Sequence, residues 1–519
     1  MHAAELLLGL LIAVGALVTV ARRLGIAYPI FLVIGGLLLG LVPGVPRIEV
    51  DPDVIFLIVL PPLLYIAAYF TPVRSLRANV GTIGLLAVGL VIATAAGVAV
   101  AARALIPGIP WSVAFALGAI VAPPDAIAAT AVSSRLAVPR QIVTILEGES
   151  LLNDATALTL YRMALAVAFG GVFSPGAAVV TFAGAMLGGG AIGLALGWVI
   201  AHIRARIEDT PVEMTISLLT PYAAFLLAER LGASGVIATV AAGLFLGHRG
   251  AQIMGADARL TGRAVWETLT FLLNGFVFIV MGLEIPHLLG ALTPSAAIAA
   301  VGIGVALTLA LVAIRALWIF ASIFLPQRMR RRPDAGKCAL VLSWAGMRGV
   351  VSLAAVLALP HTLPGGDALP ARETLVIVTV TAIALTLVGQ GLTLPWVIRA
   401  LGLGRDAGLR EEEGRARQRL LEAATRRLDE LEPVWAGHRP LLDQLRETYR
   451  HRSEHAERQR DSSTDGEDRE LIEHREIRRT VLDAEREALL RLRADGEVSE
   501  EVLRDLEREL DLEERRMDA

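Results

Sequence analysis

Residues 145–162 read Ile-Leu-Glu-Gly-Glu-Ser-Leu-Leu-Asn-Asp-Ala-Thr-Ala-Leu-Thr-Leu-Tyr-Arg, and they lie inside a long apolar segment, residues 138–169. That segment is long enough to cross a bilayer as one helix. It nevertheless carries three carboxylates within eight residues. An Asp at the centre of a membrane-spanning helix costs about 2.5–3.5 kcal/mol of insertion free energy. We therefore predict that these carboxylates face protein or a water-filled cavity rather than lipid.

The spacing of the polar residues in this stretch assigns them to two faces of a helix. Glu147, Ser150 and Asp154 are separated by three and four residues, so they share one face. Glu149 and Asn153 are one turn apart and share a second face. We expect the two faces to have different surroundings and different roles.

The composition of the whole chain indicates a polytopic membrane domain followed by a polar tail. Of the 519 residues, 55% are hydrophobic, and the mean hydropathy is +0.60 although the last fifth is densely charged. The net charge of -3 averages these two unlike regions. The single Cys338 excludes an internal disulfide and a cysteine-rich metal site. We predict a transmembrane domain over residues 1–402 and a cytoplasmic helical tail over residues 403–519.

Hydropathy predicts about thirteen membrane spans, and the loops between them differ in charge. Loops rich in Lys and Arg alternate with poor ones, sixteen such residues against four. By the positive-inside bias the rich loops are cytoplasmic, which places the N-terminus outside and the C-terminus inside. The predicted spans lie near residues 4–21, 28–42, 53–70, 80–102, 111–133, 139–169, 176–201, 213–230, 234–247, 265–283, 294–325, 338–360 and 372–400.

The fifth and twelfth spans contain residues that interrupt a helix near the middle of the membrane. Pro123 and Pro124 precede Asp125 in the fifth span, and glycines flank Arg348 in the twelfth. Helices interrupted at corresponding positions of two halves indicate a transporter whose substrate site lies at the midplane. Counted at about 1.5 Å per residue, Asp125, Asp154 and Arg348 all reach that depth. We therefore predict an all-α polytopic membrane protein built from two inverted repeats, with one site between them.

Four motifs stand in order along the chain: Pro61-Pro62-Leu-Leu-Tyr, Pro124-Asp125-Ala, Glu147-Gly-Glu-Ser-Leu-Leu-Asn-Asp-Ala-Thr-Ala-Leu and Trp344-Ala-Gly-Met-Arg-Gly-Val-Val-Ser-Leu-Ala. Together they resemble the NhaP-like bacterial sodium/proton exchangers of monovalent cation/proton antiporter family 1. The resemblance covers roughly residues 5–402 and implies a secondary active antiporter of the plasma membrane that serves sodium transport and pH homeostasis. It also implies a homodimer, with spans 1–3 and 8–10 in a dimerisation domain and spans 4–6 and 11–13 in a transport core.

The resemblance also implies roles for particular residues. Asn153 and Asp154 match an Asn-Asp pair whose Asp binds a cation or a proton in turn. Asp125 matches the acid of the broken helix. Glu149 and Arg348 match a buried ion pair, which we expect to be structural.

The chain departs from many relatives at two positions near this site. Pro124 stands where they have Thr, so only its carbonyl oxygen is available as a ligand. After Pro-Pro-Leu-Leu-Tyr, residues 66–68 are Ile-Ala-Ala, where some relatives have an acid. Both changes leave open which cation the chain prefers.

Sodium and lithium are hard cations that prefer oxygen ligands. Asp154 offers a carboxylate, Ser150 a hydroxyl one turn away, and Pro124 a carbonyl. We predict these three as ligands of Na⁺, with Li⁺ or K⁺ as alternatives. Because Asn153 is uncharged, one carboxylate that exchanges one cation for one proton moves no net charge, and we predict electroneutral exchange. We expect no cofactor.

Several assignments stay open at the level of sequence. Glu147 lies about 10 Å from Asp154 along the helix, towards the cytoplasm, and is predicted to line an access funnel. Asp125 either neutralises the ends of the broken helices or orients Asn153. Arg315 is a weaker candidate for a buried partner. The tail is a solvated appendage, a regulatory element or a support for the dimer.

Two other function classes were compared with the antiporter. A cation channel without proton coupling shares the buried acids, but it does not need a carboxylate that binds protons between two broken helices. An intramembrane enzyme is disfavoured, because the chain has no HExxH motif and no apolar span carries both a catalytic Ser and a His base.

Overall fold

The computed structural model describes residues 2–24, 27–42, 55–125, 140–207, 209–290, 292–324, 335–363, 369–402, 407–461 and 466–494, together with six positions between 502 and 514. The chain divides into two compact units, Met1–Arg405 and Asp406–Ala519.

The first unit is built from helices. In chain order they are α1 (His2–Leu24), α2 (Tyr28–Gly40), α3 (Leu60–Phe70), α4 (Val73–Ala78), α5 (Val80–Gly84), α6 (Val91–Leu105), α7 (Trp111–Val121), α8 (Arg140–Ala168), α9 (Pro175–Arg204), α10 (Thr210–Arg230), α11 (Gly235–Ile253), α12 (Ala256–Gly290), α13 (Pro294–Phe324), α14 (Ala335–Trp344), α15 (Val350–Leu357), α16 (Arg372–Ala384) and α17 (Gly391–Ala400). Three π-helical segments accompany them, Ile55–Val59 before α3, Leu85–Leu90 between α5 and α6, and Leu385–Gln390 between α16 and α17.

Each predicted apolar span coincides with at least one of these helices over the described residues. Within the described residues, six helices are long and apolar enough to cross a membrane: Val80–Leu105, Pro175–Arg204, Thr210–Arg230, Asp257–Gly290, Pro294–Ser322 and Arg372–Ala400. Shorter apolar helices are Tyr28–Gly40, Phe56–Phe70 and Trp111–Val121. The 29 residues of α8 extend about 43 Å, enough to cross despite the carboxylates they carry. The chain is thus an all-helical polytopic membrane protein, and the count of thirteen spans stays a prediction.

Local sequence explains where several of these helices begin. Asp209 accepts a hydrogen bond from the N–H of Val212 and caps α10. Ser234 caps α11 in the same way through the N–H of Ile237. Gly232 has a φ of +74°, which lets the chain turn sharply between these two helices.

The helices of this unit pack in two groups. In one, α2 lies along α12, and α11 packs against α3, α9 and α10. In the other, α7 packs against α6 and α8, and α13 packs against α16 and α6. The contact between α2 and α12 is very close: a Cβ on Gly36 would lie 2.2 Å from the carbonyl oxygen of Ile279, and one on Gly282 the same distance from that of Val33. Glycine therefore allows the two backbones to touch.

The interruption predicted in the twelfth span is confirmed. The helix ends at Trp344 and the next one begins at Val350, so residues 345–349 are not helical. In the fifth span α7 ends at Val121, and residues 122–125 are not helical either. The second half of that span, residues 126–139, lies outside the described residues.

The second unit contains α18 (Ala407–Leu431), a 3₁₀ turn (Ala436–His438), α19 (Arg439–Asp461) and α20 (Gly466–Ala494). Arg446 of α19 donates hydrogen bonds to Asp429 and Glu432, at 2.8 and 2.7 Å, which ties α19 to the end of α18. The hydrogen bond from Arg446 lowers the pKa of the Glu432 carboxyl. Leu428 and Leu442 are buried in this unit. The predicted helical character of the tail is confirmed over these residues.

Candidate ion-binding site

A cavity of about 490 Å³ lies inside the first unit. Its wall is formed by α3, α8, α12 and the two interrupted segments near Asp125 and Gly349. Much of the wall is apolar, and its polar side chains are Thr71, Asp125, Glu147, Ser150, Asp154, Arg263, Glu267, Thr270, Asn274 and Ser352. Most binding sites for small ligands are concave and largely apolar, with a few convergent polar groups.

The two faces predicted for the opening stretch have different surroundings in the structure. Glu147, Ser150 and Asp154 all line the cavity, and only 6% of Asp154 is exposed. Glu149 and Asn153 do not line it and are completely buried, at 0% exposure. The helical spacing therefore separated the side chains that reach the cavity from those that pack into protein.

The two interrupted segments bind each other directly. Because each break leaves backbone groups without helical partners, the segments can satisfy one another. Three hydrogen bonds join them: Asp125 N–H to the Met347 carbonyl at 2.7 Å, Arg348 Nε to the Val121 carbonyl at 2.6 Å, and Ser352 Oγ to the Ile120 carbonyl at 2.7 Å. These bonds join the two breaks beside α8.

Asn153 fixes the backbone of the first break. Its Nδ2 donates to the carbonyl oxygen of Pro124 at 3.1 Å. Pro124 also lines the cavity, and a carbonyl oxygen has two lone pairs. Asn153 occupies one of these lone pairs.

The prediction that Glu149 pairs with Arg348 is wrong, because Glu149 pairs with another arginine. Arg315 of α13 donates two hydrogen bonds to the Glu149 carboxylate, from Nη1 to Oε1 at 2.6 Å and from Nη2 to Oε2 at 2.9 Å. Both side chains are about 1% exposed. The Nε of Arg315 donates to the carbonyl of Leu342 at 3.1 Å, which ties the pair to α14. Arg315, the weaker candidate from sequence, is the partner.

Arg348 instead caps the open ends of the broken helices. Its guanidinium donates to the carbonyl of Val121, the last residue of α7, and to that of Gly346 just beyond α14, at 2.6 and 2.7 Å. Its backbone N–H donates to Thr386 Oγ1 at 3.0 Å. A cation at a helix C-terminus is favourable, because the last carbonyls lack donors. The one sequence signal for this difference is that Arg348 stands inside a predicted break, whereas Arg315 stands inside a continuous apolar span.

We predict that Glu149 and Arg315 are coupled in stability. Each single Ala variant should lose about 3–5 kcal/mol, because the remaining charge is buried without a partner. The double variant should lose less than the sum, because no lone charge remains. The measurement is thermal unfolding in detergent of the wild type, the two single variants and the double variant. The same set of variants for Glu149 and Arg348 is the control. Additive losses for Glu149 and Arg315 would contradict the pairing.

Part of the cavity wall was missed from sequence. Arg263, Glu267, Thr270 and Asn274 line it from α12, and Arg263 Nε donates to Glu267 Oε1 at 2.8 Å. Their spacing of four, three and four residues puts them on one face of an otherwise apolar helix. That polar stripe is the signal that could have identified α12 as a wall of the site.

Comparisons with known proteins identify the family of this chain. Residues 9–400 match a family described as "Sodium/hydrogen exchanger, transmembrane". An uncharacterised Na⁺/H⁺ exchanger of Mycobacterium tuberculosis is 36% identical over 524 residues, covering 97% of this chain and 95% of that protein. A sodium, potassium, lithium and rubidium/H⁺ antiporter of Bacillus subtilis is 31% identical over 384 residues, covering 71% of this chain and 57% of that protein.

A solved structure shows the fold that this chain shares. The sodium proton antiporter MjNhaP1 of Methanocaldococcus jannaschii superposes with a TM-score of 0.60 at 20% identity. The match covers 77% of this chain and 99% of that one. The membrane unit therefore has an NhaP-like fold.

Proposed function

This chain belongs to the sodium/hydrogen exchanger family, and we propose that it exchanges one monovalent cation for one proton by binding them in turn at Asp154. Its family makes it a multi-pass membrane antiporter of monovalent cations and protons, and not an enzyme. The observation that carries the proposal is the position of Asp154, on the wall of the 490 Å³ cavity and beside the two interrupted segments. A bare carboxylate there is costly, so a proton or a cation must accompany it.

The surroundings of Asp154 support an electroneutral exchange. Its neighbour Asn153 carries no charge, and the charge of Glu149 is balanced by Arg315. With Asp125 assigned to the start of α15 and Glu147 to the entrance, Asp154 is the carboxylate that alternates between two neutral loaded forms. One cation moves for each proton, and no net charge crosses the membrane.

The oxygen ligands proposed for the cation are those on the cavity wall. Asp154 supplies a carboxylate, Ser150 a hydroxyl, and Pro124 the carbonyl that Asn153 orients. Such an oxygen set suits Na⁺ first, with Li⁺ and K⁺ as competitors. The related Bacillus protein is described as an antiporter of sodium, potassium, lithium and rubidium, which supports testing several cations.

Asp125 is proposed to act at the start of α15. A Cβ on Gly349 would lie 1.7 Å from Asp125 Oδ2, so the carboxylate rests directly against the residue before that helix. Unpaired N–H groups and the helix dipole favour a negative charge at this end. Asp125 thus stabilises the break and contributes negative potential to the cavity.

Glu147 is proposed to guide cations towards Asp154 from the cytoplasm. It lines the same cavity as Arg263 and Glu267 of α12. Both Arg263 and the loop after α3 belong to the Lys/Arg-rich set that the positive-inside bias assigns to the cytoplasm. The same bias supports an outer N-terminus and a cytoplasmic C-terminus in the plasma membrane.

The two groups of packed helices support a division into a moving core and a fixed scaffold. The group of α6, α7, α8, α13 and α16 includes Asp154, and the group of α2, α3, α9, α10, α11 and α12 faces it across the cavity. We propose that the first group is the transport core and that the second forms the dimer interface of a homodimer. Alternating access then requires the core to move relative to the scaffold.

The test is a reconstitution of the purified full chain in proteoliposomes with an internal pH dye. Na⁺, Li⁺ and K⁺ gradients are applied in turn, at zero and at a strongly negative membrane potential. Electroneutral antiport predicts proton movement that depends on the cation gradient and not on the potential. Cation flux without proton movement would indicate a channel, and a rate that follows the potential would contradict the one-for-one ratio.

We also predict that Gly349→Ala lowers the exchange rate by about tenfold, because the added methyl displaces the Asp125 carboxylate, and such overpacking commonly costs about 1–3 kcal/mol. The matched control is Gly302→Ala on α13, where an added Cβ meets nothing within 4 Å. The measurement is the initial rate of Na⁺-driven proton movement in proteoliposomes. Equal rates for both variants would show that the contact between Gly349 and Asp125 is dispensable.

A further inference from the structure

Asn274 combines two features that the mechanism above does not use. Its side chain lines the cavity from α12, yet it is only 4% exposed. Its Oδ1 has no hydrogen-bond partner among the described residues. A buried acceptor without a partner costs about 1–3 kcal/mol. Such an atom on the wall of a cation cavity suggests a partner that comes and goes.

The part of the wall that α3 contributes carries no side-chain oxygen for a hard cation. Its cavity-lining residues are apolar, among them Ile66 and Ala67, which present only aliphatic carbon. Pro124 offers no side-chain oxygen. The number of oxygen ligands and the size of the site decide which hard cation binds. An amide oxygen from α12 would restore what α3 lacks.

We propose that Asn274 is a cation ligand, which determines specificity by adding a neutral oxygen to Asp154, Ser150 and Pro124. The terminal torsion of an Asn side chain is soft, so rotation about it presents Oδ1 to the cavity at little cost. A smaller cation is satisfied by fewer ligands, so the added oxygen favours Na⁺ over Li⁺. The inference rests on the proposed function, because it extends the ligand set of the same site.

The competing explanation is a structural pair between Asn274 and Tyr28 of α2. The Tyr28 hydroxyl oxygen accepts a side-chain hydrogen bond from the Asn274 amide, and Asp125 lies close to it. Its hydroxyl does not complete a hydrogen bond to Oδ1. If the amide serves only to hold Tyr28, then Tyr28→Phe reproduces every effect of removing the amide. If it binds the cation, Tyr28→Phe leaves cation affinity unchanged.

A matched control for the amide is present in the same unit. Gln390 is likewise buried, at 5% exposure, and its Oε1 has no partner among the described residues. Unlike Asn274, it does not line the cavity. Gln390→Leu thus removes an equally orphaned amide without touching the cation path.

The experiment measures half-saturation by Na⁺ and by Li⁺ in proteoliposomes of the full chain, for Asn274→Leu, Asn274→Asp, Tyr28→Phe and Gln390→Leu. We expect Asn274→Leu to raise half-saturation by Na⁺ about tenfold, equivalent to 1.4 kcal/mol, and by Li⁺ less. Asn274→Asp, which keeps an oxygen at this position, should restore affinity for Na⁺. Tyr28→Phe and Gln390→Leu should match the wild type.

The outcomes separate this inference from the proposed function. Wild-type protein and Asp154→Asn are run in parallel, and absence of cation-driven proton movement in the wild type would overturn the proposed function itself. If the wild type exchanges and Asp154→Asn does not, unchanged half-saturation in Asn274→Leu overturns only the ligand role of Asn274. An equal rise in Tyr28→Phe or Gln390→Leu, or an equal loss for both cations, overturns it as well. Should Asn274→Leu fail to fold, Asn274→Ala takes its place, since it also removes the amide oxygen, and an unchanged half-saturation by Na⁺ in that variant contradicts a ligand.

Discussion

Asp154→Asn is expected to abolish cation-driven proton movement in proteoliposomes while leaving the protein folded. The amide has nearly the shape of the carboxylate, but it cannot carry a proton between the two sides or balance the charge of a cation. Asp154 is only 6% exposed and lies on the cavity wall. Removing a buried charge should leave the melting temperature unchanged or raise it.

Asp209→Asn is the matched control for this substitution. Asp209 caps α10 through the N–H of Val212 and does not line the cavity. Asn is as good a cap as Asp, so both stability and exchange should match the wild type. Exchange by Asp154→Asn at a rate near that of the wild type would remove this carboxylate from the mechanism.

The features of this chain that the sequence predicted well each depend on a short stretch of residues. The periodicity of a helix separates Glu147, Ser150 and Asp154 from Glu149 and Asn153, and the structure has this separation. The interruption near Arg348 follows from its flanking glycines, whose conformational freedom disfavours helix. Both inferences need only the residues of one helix.

What sequence did not predict depends on how distant helices meet. The partner of Glu149 is 166 positions away, and two arginines of equal charge competed for it. The choice was decided by carbonyl groups at the ends of broken helices, which hold Arg348 and leave Glu149 to Arg315. Hydropathy does not report such backbone needs.

The wall contributed by α12 was missed for a related reason. Its polar residues, among them Thr270 and Asn274, are uncharged or lie near the end of the helix, so each alone resembles a surface or packing residue. Their common face can be recognised as part of a site only when the structure shows that it lines the same cavity as Asp154. The π-helical segment Leu385–Gln390 was also not predicted. It contains Thr386, whose hydroxyl oxygen accepts a hydrogen bond from the backbone N–H of Arg348.

Competition between proton and cation gives the second large effect. Lowering the pH should weaken apparent cation affinity without lowering the maximal rate at saturating cation. The carboxylate of Asp154 must lose its proton before a cation binds, so the proton acts as a competing ligand. At pH values below the pKa of the site, each unit should raise half-saturation about tenfold, or 1.4 kcal/mol. At higher pH, half-saturation should become constant.

The rate has the opposite dependence at high pH, because too few protons are available to load the return step. Measured at a fixed cation concentration, the rate should therefore follow a bell-shaped curve without any separate pH sensor. The measurement is half-saturation against pH from both faces of the membrane, with the full chain and with residues 406–519 deleted. Half-saturation that does not change with pH would contradict a shared site. If the bell-shaped dependence of the rate on pH disappears when the tail is deleted, pH sensing lies in the tail. If it persists, competition between the proton and the cation at Asp154 is the source of the pH dependence.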